Sequence, residues 1–336
     1  MGVSLGDNRK KVVTIGGGSG QFALLSGLRG LAEIEITAVV SMADSGGSTG
    51  RLRDELGVLP PGDVLKCILA LSPHHDIVRK LLLKRFMADG QLKGHNAGNM
   101  LLTMLSQYTG SFPAGVQALA EILDARGTIL PVTIDKATLV AELTDGSHIY
   151  GETAIDMPRG TQREKIRNVF LVPHHSDSIS VYPPVVEAIK SVDFIIIGPG
   201  DLFTSIIPNL IVPGVKEALQ ETSATILYII NIMTKFGETH NYTGVDFVKT
   251  LEHSIDRQVD GVIYNTEKPR LDLLAQYQEQ KAEFVEIDEG DDWWGNRRIY
   301  AAPMLDIAGG IVRHDSEKLA SLIQQVLSRG KTIRSS

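Results

Sequence analysis

The run Val12-Val13-Thr14-Ile15 is short, apolar and β-branched. It empties into Gly16-Gly17-Gly18-Ser19-Gly20-Gln21 ahead of an apolar periodic segment, Phe22 to Leu28. That order reads as strand, tight loop, helix. The glycines permit the turn, and a helix opening on bare backbone N–H groups can hold an anion. A phosphorylated ligand is therefore expected at the mouth of the first strand.

Two familiar fingerprints fit this loop poorly. A P-loop needs a lysine after its last glycine, and here Gln21 follows Gly20. The dinucleotide pattern can be laid on Gly18-Ser19-Gly20-Gln21-Phe22-Ala23. The acid that would hold a ribose at the end of strand two is missing; Ser41 and Met42 stand there, with Asp44 slightly beyond. Phosphate binding without NAD is the better reading. A purely structural use of the glycines, to let strand pack close to helix, stays open.

The rest of the chain repeats the rhythm. Strands are expected near Ile36–Ser41, Asp193–Ile197, Thr225–Asn231, Gly261–Asn265 and Phe284–Ile287. Helices are expected between them, with a last one near Asp315–Leu327. Alternation of this kind predicts a doubly wound, mostly parallel α/β sheet of Rossmann type, covered on both faces. Between about 127 and 172 the pattern changes to short alternating runs with a turn at Asp145-Gly146. These predict a small antiparallel insertion, Gly127 to Pro131 included. One α/β domain over 10–328 is expected, with flexible tails at 1–9 and 329–336.

The net charge is −7, which argues against general nucleic-acid binding. The apolar stretches Phe194–Ile197 and Ala224–Met233 are too short to span a bilayer. No signal-peptide core precedes Val12. Cys67 is the sole cysteine, so no intrachain disulfide can form and the reducing cytoplasm is the expected compartment. Its apolar setting reads as an inert core thiol.

Further motifs fall where strands end. Ala43-Asp44-Ser45-Gly46-Gly47-Ser48-Thr49-Gly50-Arg51-Leu52-Arg53 follows strand two as a loop. Arg51 suits a phosphate, and Asp44 suits Mg²⁺, which needs only one or two carboxylates when phosphates complete its shell. Pro60-Pro61-Gly62-Asp63 places Asp63 as a helix N-cap, or as a second carboxylate facing Asp44. Gly94-His95-Asn96-Ala97-Gly98-Asn99 puts Asn96 and Asn99 at a helix entrance, where a ligand oxygen could bind. Ile197-Gly198-Pro199-Gly200-Asp201-Leu202-Phe203-Thr204-Ser205 is a second strand–glycine loop–helix unit, with two hydroxyls to add to an anion nest. Asn231 could add an amide to that rim. The adjacent pairs His74-His75 and His174-His175 point apart, and no Cys/His cluster marks a zinc site. Trp293-Trp294 read as packing or partner contacts. Arg313, from spacing alone, is a solvated surface arginine.

Six of these pieces in this order resemble the CofD/YvcK-like family: Gly16 to Gly20, Ala43 to Arg53, Leu59 to Asp63, Gly94 to Asn99, Gly198 to Ile206, and Ile311-Val312-Arg313-His314-Asp315. The resemblance runs from about residue 10 to 328 and is greatest to the YvcK branch. That branch is tied to growth on gluconeogenic carbon sources and to cell shape, and it binds UDP-N-acetylglucosamine. The resemblance implies nucleotide-sugar contacts at Arg313 and Tyr277, overturning the reading of Arg313 from spacing. The enzyme branch moves a phospholactyl group from a guanylyl carrier to a deazaflavin with Mg²⁺, and its metal positions fall on Asp44 and Asp63. Many relatives carry a second acid directly after the first; here that place is Ser45. The resulting expectation is a sensor with ligand contacts at Gly17, Gly18, Ser19, Gly20, Arg51, Asn96, Asn99, Gly198, Gly200, Thr204, Ser205, Asn231, Tyr277 and Arg313. A Mg²⁺-dependent transferase is the alternative. A homo-oligomer and a protein partner are expected.

Overall fold

The computed structural model describes residues 9–87, 92–158, 160, 162–174 and 176–329. Apart from Arg9 and Arg329, the expected tails lie outside the described residues, as does His175. The side chains of Arg53 and His75 do too.

The strands are β1 (Lys10–Gly16), β2 (Ile34–Val40), β3 (Thr128–Pro131), β4 (Ala137–Leu143), β5 (His148–Tyr150), β6 (Ile166–Pro173), β7 (Phe194–Ile197), β8 (Thr225–Ile229), β9 (Gly261–Asn265), β10 (Arg298–Ala302), β11 (Leu305–Asp306) and β12 (Arg313–His314). The α-helices are α1 (Gly18–Leu28), α2 (Gly47–Leu56), α3 (Gly62–Leu71), α4 (His75–Leu82), α5 (Ala97–Thr109), α6 (Phe112–Ile122), α7 (Glu152–Asp156), α8 (Pro183–Lys190), α9 (Ile207–Leu210), α10 (Val215–Glu221), α11 (Gly244–Ile255), α12 (Leu271–Glu279) and α13 (Ser316–Arg329).

Seven strands form one sheet in the order β10-β9-β8-β7-β1-β2-β3. Every pair in it is parallel. The chain winds outward from β1 to β3, then returns to the centre and winds the other way from β7 to β10. Right-handed crossovers in opposite directions put their helices on opposite faces. So α1 packs with α3 and α13, while α10 packs with α8, α9 and α11. Strands covered on both faces must be apolar throughout. Ile195, Ile196 and Ile197 are each 0% exposed, and full burial is worth ~1.5–3 kcal/mol per side chain. Thr14 in β1 and Gln21 in α1 are buried polar residues, and Gln21 serves both. Its amide donates to Thr14 Oγ1 and to the Val39 carbonyl, tying α1 to two strands.

The antiparallel insertion exists, as β5-β4-β6, and Asp145-Gly146 turns between β4 and β5. Its boundary differs from expectation. Thr128–Pro131 pairs in parallel with β2 and belongs to the main sheet. Four residues of β-branched and apolar character do not reveal which way a partner runs. Phe284–Ile287 is no strand; Phe284 makes a single bridge to Met233. The edge of the sheet is instead β10, whose half-exposed Arg298–Ala302 lacks the apolar run of its neighbours. The expected loop at 43–51 becomes helix from Gly47 onward. Among the described residues no single helix is long and apolar enough to cross a membrane.

Candidate functional site

The sheet reverses its winding between β1 and β7, and ligands of such sheets bind beyond the carboxyl ends of the strands at that point. Both glycine loops emerge there. Gly17, Gly18, Ser19 and Gly20 open α1, and Pro199, Gly200 and Ser205 face them across a cleft of about 680 Å³. The loops nearly touch. A methyl group placed on Gly20 would fall 2.2 Å from the Pro199 carbonyl oxygen, so only glycine lets the two backbones close up. The Gly200 N–H donates to Asn231 Oδ1 at 3.5 Å, which adds the end of β8 to the same rim.

The far wall comes from the C-terminal third. Tyr277 on α12 accepts a hydrogen bond from Val312 N at 2.9 Å and so holds the segment that carries Arg313. Arg313 is exposed and lines the cleft. His314 beside it is buried, and a ring N–H donates to the Ile230 carbonyl. Burial pushes its pKa down to about 4, so the ring is neutral at pH 7. Its Nε2 has no partner among the described residues.

Acidic groups line the near wall. Asp63 sits in the first turn of α3, one residue inside the helix start, so it does not serve as the N-cap; Pro61 does. Its carboxylate faces Gly17 and accepts from Lys66 Nζ at 2.8 Å. Residues three apart share a helix face, which is why Lys66 meets it. Asp44 takes the Gly46 N–H at 2.8 Å through Oδ1. Burial and then the neighbouring Asp63 raise the Asp44 pKa from its ordinary value. Glu152 on α7 is pushed up to about 7 by burial, then by Asp44 and Asp156. A little further along, Lys235 binds Asp156, Asp201 at 2.8 Å and Glu238 at 3.3 Å. Burial opposes the charge on Lys235, but three carboxylates outweigh it and its pKa rises. Glu238 is buried and moves up, first through burial and then through Asp201. The cleft thus pairs bare amides, Arg313 and two lysines with more carboxylate than those cations balance.

Of the expected contacts, Gly17, Gly18, Ser19, Gly20, Gly200, Ser205, Asn231, Tyr277 and Arg313 lie together on this cleft, as do Asp44 and Asp63. The others do not line it. Arg51 turns its guanidinium to the Lys93 carbonyl at 2.5 Å. Asn96 is the N-cap of α5 and accepts from Asn99 N at 2.7 Å. The Asn99 amide reaches Ser48 Oγ and Thr49 Oγ1. Both asparagines are buried, and Asn99 fastens α5 to α2. Thr204 points inward to Glu238, and Gly198 sits behind Pro199, off the lining. Trp294 is buried with its indole N–H on the Asp288 carbonyl, which bears out the packing role read for it. Cys67 is buried and its thiol is pushed up by desolvation.

Sequence reasoning passed over Lys66, Glu152, Asp156, Asp201 and Lys235. Lys235 stands just past the end of β8, where the switch-point rule alone would have flagged it. Glu152 and Asp156 ride on a five-residue helix inside the insertion, and no local signal places that helix over the cleft.

The model of the family described as 2-phospho-L-lactate transferase CofD matches residues 12–305. The chain belongs to the CofD family. Among its relatives, a Thermotoga maritima protein is 43% identical over 322 residues, spanning 94% of this chain and 99% of its own. Its name is given provisionally as gluconeogenesis factor. The Bacillus subtilis gluconeogenesis factor is 37% identical over 320 residues, 95% of this chain and 98% of that one. The crystal structure of protein BH3568 from Bacillus halodurans superposes with a TM-score of 0.87 at 35% identity, covering 94% of this chain and 99% of that chain. These CofD-family members share nearly the whole length of the chain, so the cleft and the insertion over it lie within what is similar.

Proposed function

We propose that this CofD-family chain is a sensor that binds a nucleotide-diphosphate sugar, UDP-N-acetylglucosamine, in the switch-point cleft. Its role is regulatory, in growth on gluconeogenic carbon sources and in cell shape. The observation that carries the reading is the convergence of two glycine loops with Arg313 and Tyr277 on one cleft. Backbone N–H groups at the start of α1 and the planar guanidinium both suit a diphosphate. A pocket of several hundred Å³ suits a ligand of nucleotide-sugar size. Relatives named for gluconeogenesis support the regulatory role.

The test is thermal unfolding with UDP-N-acetylglucosamine, GTP, GDP and NAD, with and without Mg²⁺. A ligand at a hundred times its Kd stabilises by about 2.7 kcal/mol. The sensor reading expects a metal-independent shift with the UDP-sugar, lost in Arg313→Ala while the ligand-free melting point stays within about 1 °C. A UDP-sugar shift of full size in that variant removes Arg313 from the site.

The crowding of Asp44, Asp63 and Glu152 favours a second reading, a Mg²⁺-dependent transferase. Burial and then neighbouring carboxylates raise Asp44 and Glu152, and a cation would relieve both, so the residues fit one. Asp44 and Asp63 would hold Mg²⁺, which would neutralise diphosphate oxygens. Ser45, where many relatives have an acid, leaves that set one carboxylate short. Strict Mg²⁺ dependence with a guanine nucleotide would decide for the transferase.

A further inference from the structure

A second pocket, of about 640 Å³, lies behind Phe236, which also lines the main cleft. Its walls include Gln162, Arg163, His240, Gln278 and Lys281. Two cations, Arg163 and Lys281, share the lining with two acids, Glu164 and Glu283. Arg163, Lys165 and Lys281 all bear on His240 and depress its pKa together with burial, against Glu164 alone in the other sense. Glu164 is engaged by the Thr144 hydroxyl at 2.9 Å, and Glu283 is the other acid on the wall.

Arg163 is the informative residue. Its Nη1 donates to the Ile155 carbonyl at 2.8 Å, near the end of α7. Nε and Nη2, the side-on edge of the guanidinium, are buried without a partner among the described residues, as is His240 Nδ1. Unpaired buried donors are costly and rare, and each calls for an acceptor. The Nε/Nη2 edge is the fork that matches two oxygens of one oxyanion. The seat is also made to measure. Gly237 has φ +83, and a Cβ there would lie 3.0 Å from Arg163 Cδ and 3.2 Å from Nη1. A side chain at Gly237 would press on Pro158 Cγ at 2.9 Å and on this guanidinium stem.

We propose that this pocket is a second ligand site, taking the phosphate or carboxylate group of a small anionic metabolite on the Nε/Nη2 edge of Arg163, with His240 beside it. Gln162, Asn241 and Gln278 are exposed at its rim. The site reports to the main cleft through Arg163, because α7 carries Glu152 and Asp156 on the cleft wall. It does not depend on which nucleotide the main cleft prefers.

The test follows the His240 Cε1 proton by NMR in the full chain, assigned by its loss in His240→Gln. One arm adds inorganic phosphate and the other citrate. An anion beside the ring offsets the cations that depress it, and the titration midpoint should rise by about one pH unit. A rise with phosphate alone assigns a phosphorylated ligand, and one with citrate alone a carboxylate. Arg163→Gln should abolish the rise and Arg313→Ala should leave it. If Arg163→Gln does not fold, Arg163→Lys keeps the charge without the fork and should weaken binding about tenfold or more. A His240 midpoint unmoved by either anion in the wild-type chain overturns the proposal. So does a rise that survives Arg163→Gln or vanishes in Arg313→Ala.

Discussion

Glu152→Gln should stabilise the ligand-free protein at alkaline pH and leave it unchanged in mild acid. Glu152 is raised from its ordinary 4.5 to about 7 because it is buried and faces Asp44 and Asp156. The sign follows from linkage. A carboxyl whose folded pKa lies above its unfolded one binds its proton more tightly in the fold, so stability falls as pH climbs through that interval. At ~1.36 kcal/mol per pH unit, the interval amounts to about 3 kcal/mol lost by pH 8. Glutamine keeps an oxygen for the Thr153 hydroxyl, which donates to Glu152 at 3.2 Å, and cannot ionise. With an unfolding entropy of ~2.1 cal/mol/K per residue over this chain, 3 kcal/mol is about 4 °C in Tm. Calorimetry at pH 5 and pH 8 is the assay. The expected result is a variant about 2–4 °C above wild type at pH 8 and within about 1 °C at pH 5. A variant that melts with wild type at pH 8, or gains as much at pH 5, refutes the electrostatic account of the near wall.

Gly20→Ala forces a methyl group onto the Pro199 carbonyl; it should cost about 1–3 kcal/mol by denaturant unfolding and blunt the UDP-sugar shift. Asn96→Ala removes an N-cap and should cost about 1 kcal/mol, with the ligand-induced shift intact, since that side chain is off the cleft. Arg297 grips Glu252 through two bonds of 2.7 Å, both side chains being largely buried. Arg297→Met should therefore cost about 3–5 kcal/mol in urea unfolding, and adding Glu252→Leu should recover most of it.

Where local chemistry carries its own geometry, the chain could be read directly. The β-branched run into Gly16 reads as a strand meeting a tight turn, and the helix expected from about Asp315 starts there, with Asp315 accepting from Glu317 N and Lys318 N at the entrance of α13. Asn96 and Asn99 show the limit of that reading. A polar residue at a helix entrance looks the same whether it meets a ligand or another helix, and here Asn99 reaches Ser48 and Thr49 of α2. Arg51 shows it too: a long side chain beside a glycine loop has several carbonyls within reach, and its guanidinium takes that of Lys93.

By itself, then, the order of residues determined a parallel α/β sheet with two glycine loops at strand ends, because strand periodicity and turn chemistry act over only a few neighbours. Tertiary structure alone decided that β1 and β7 lie side by side, that α7 from the insertion brings Glu152 and Asp156 over the cleft, and that Lys235 faces Asp156 and Asp201. Those meetings join segments tens to hundreds of positions apart. The strand pairing is driven by burying apolar surface, and the charges interact strongly only in the low-dielectric space that exists once the sheet has closed around them.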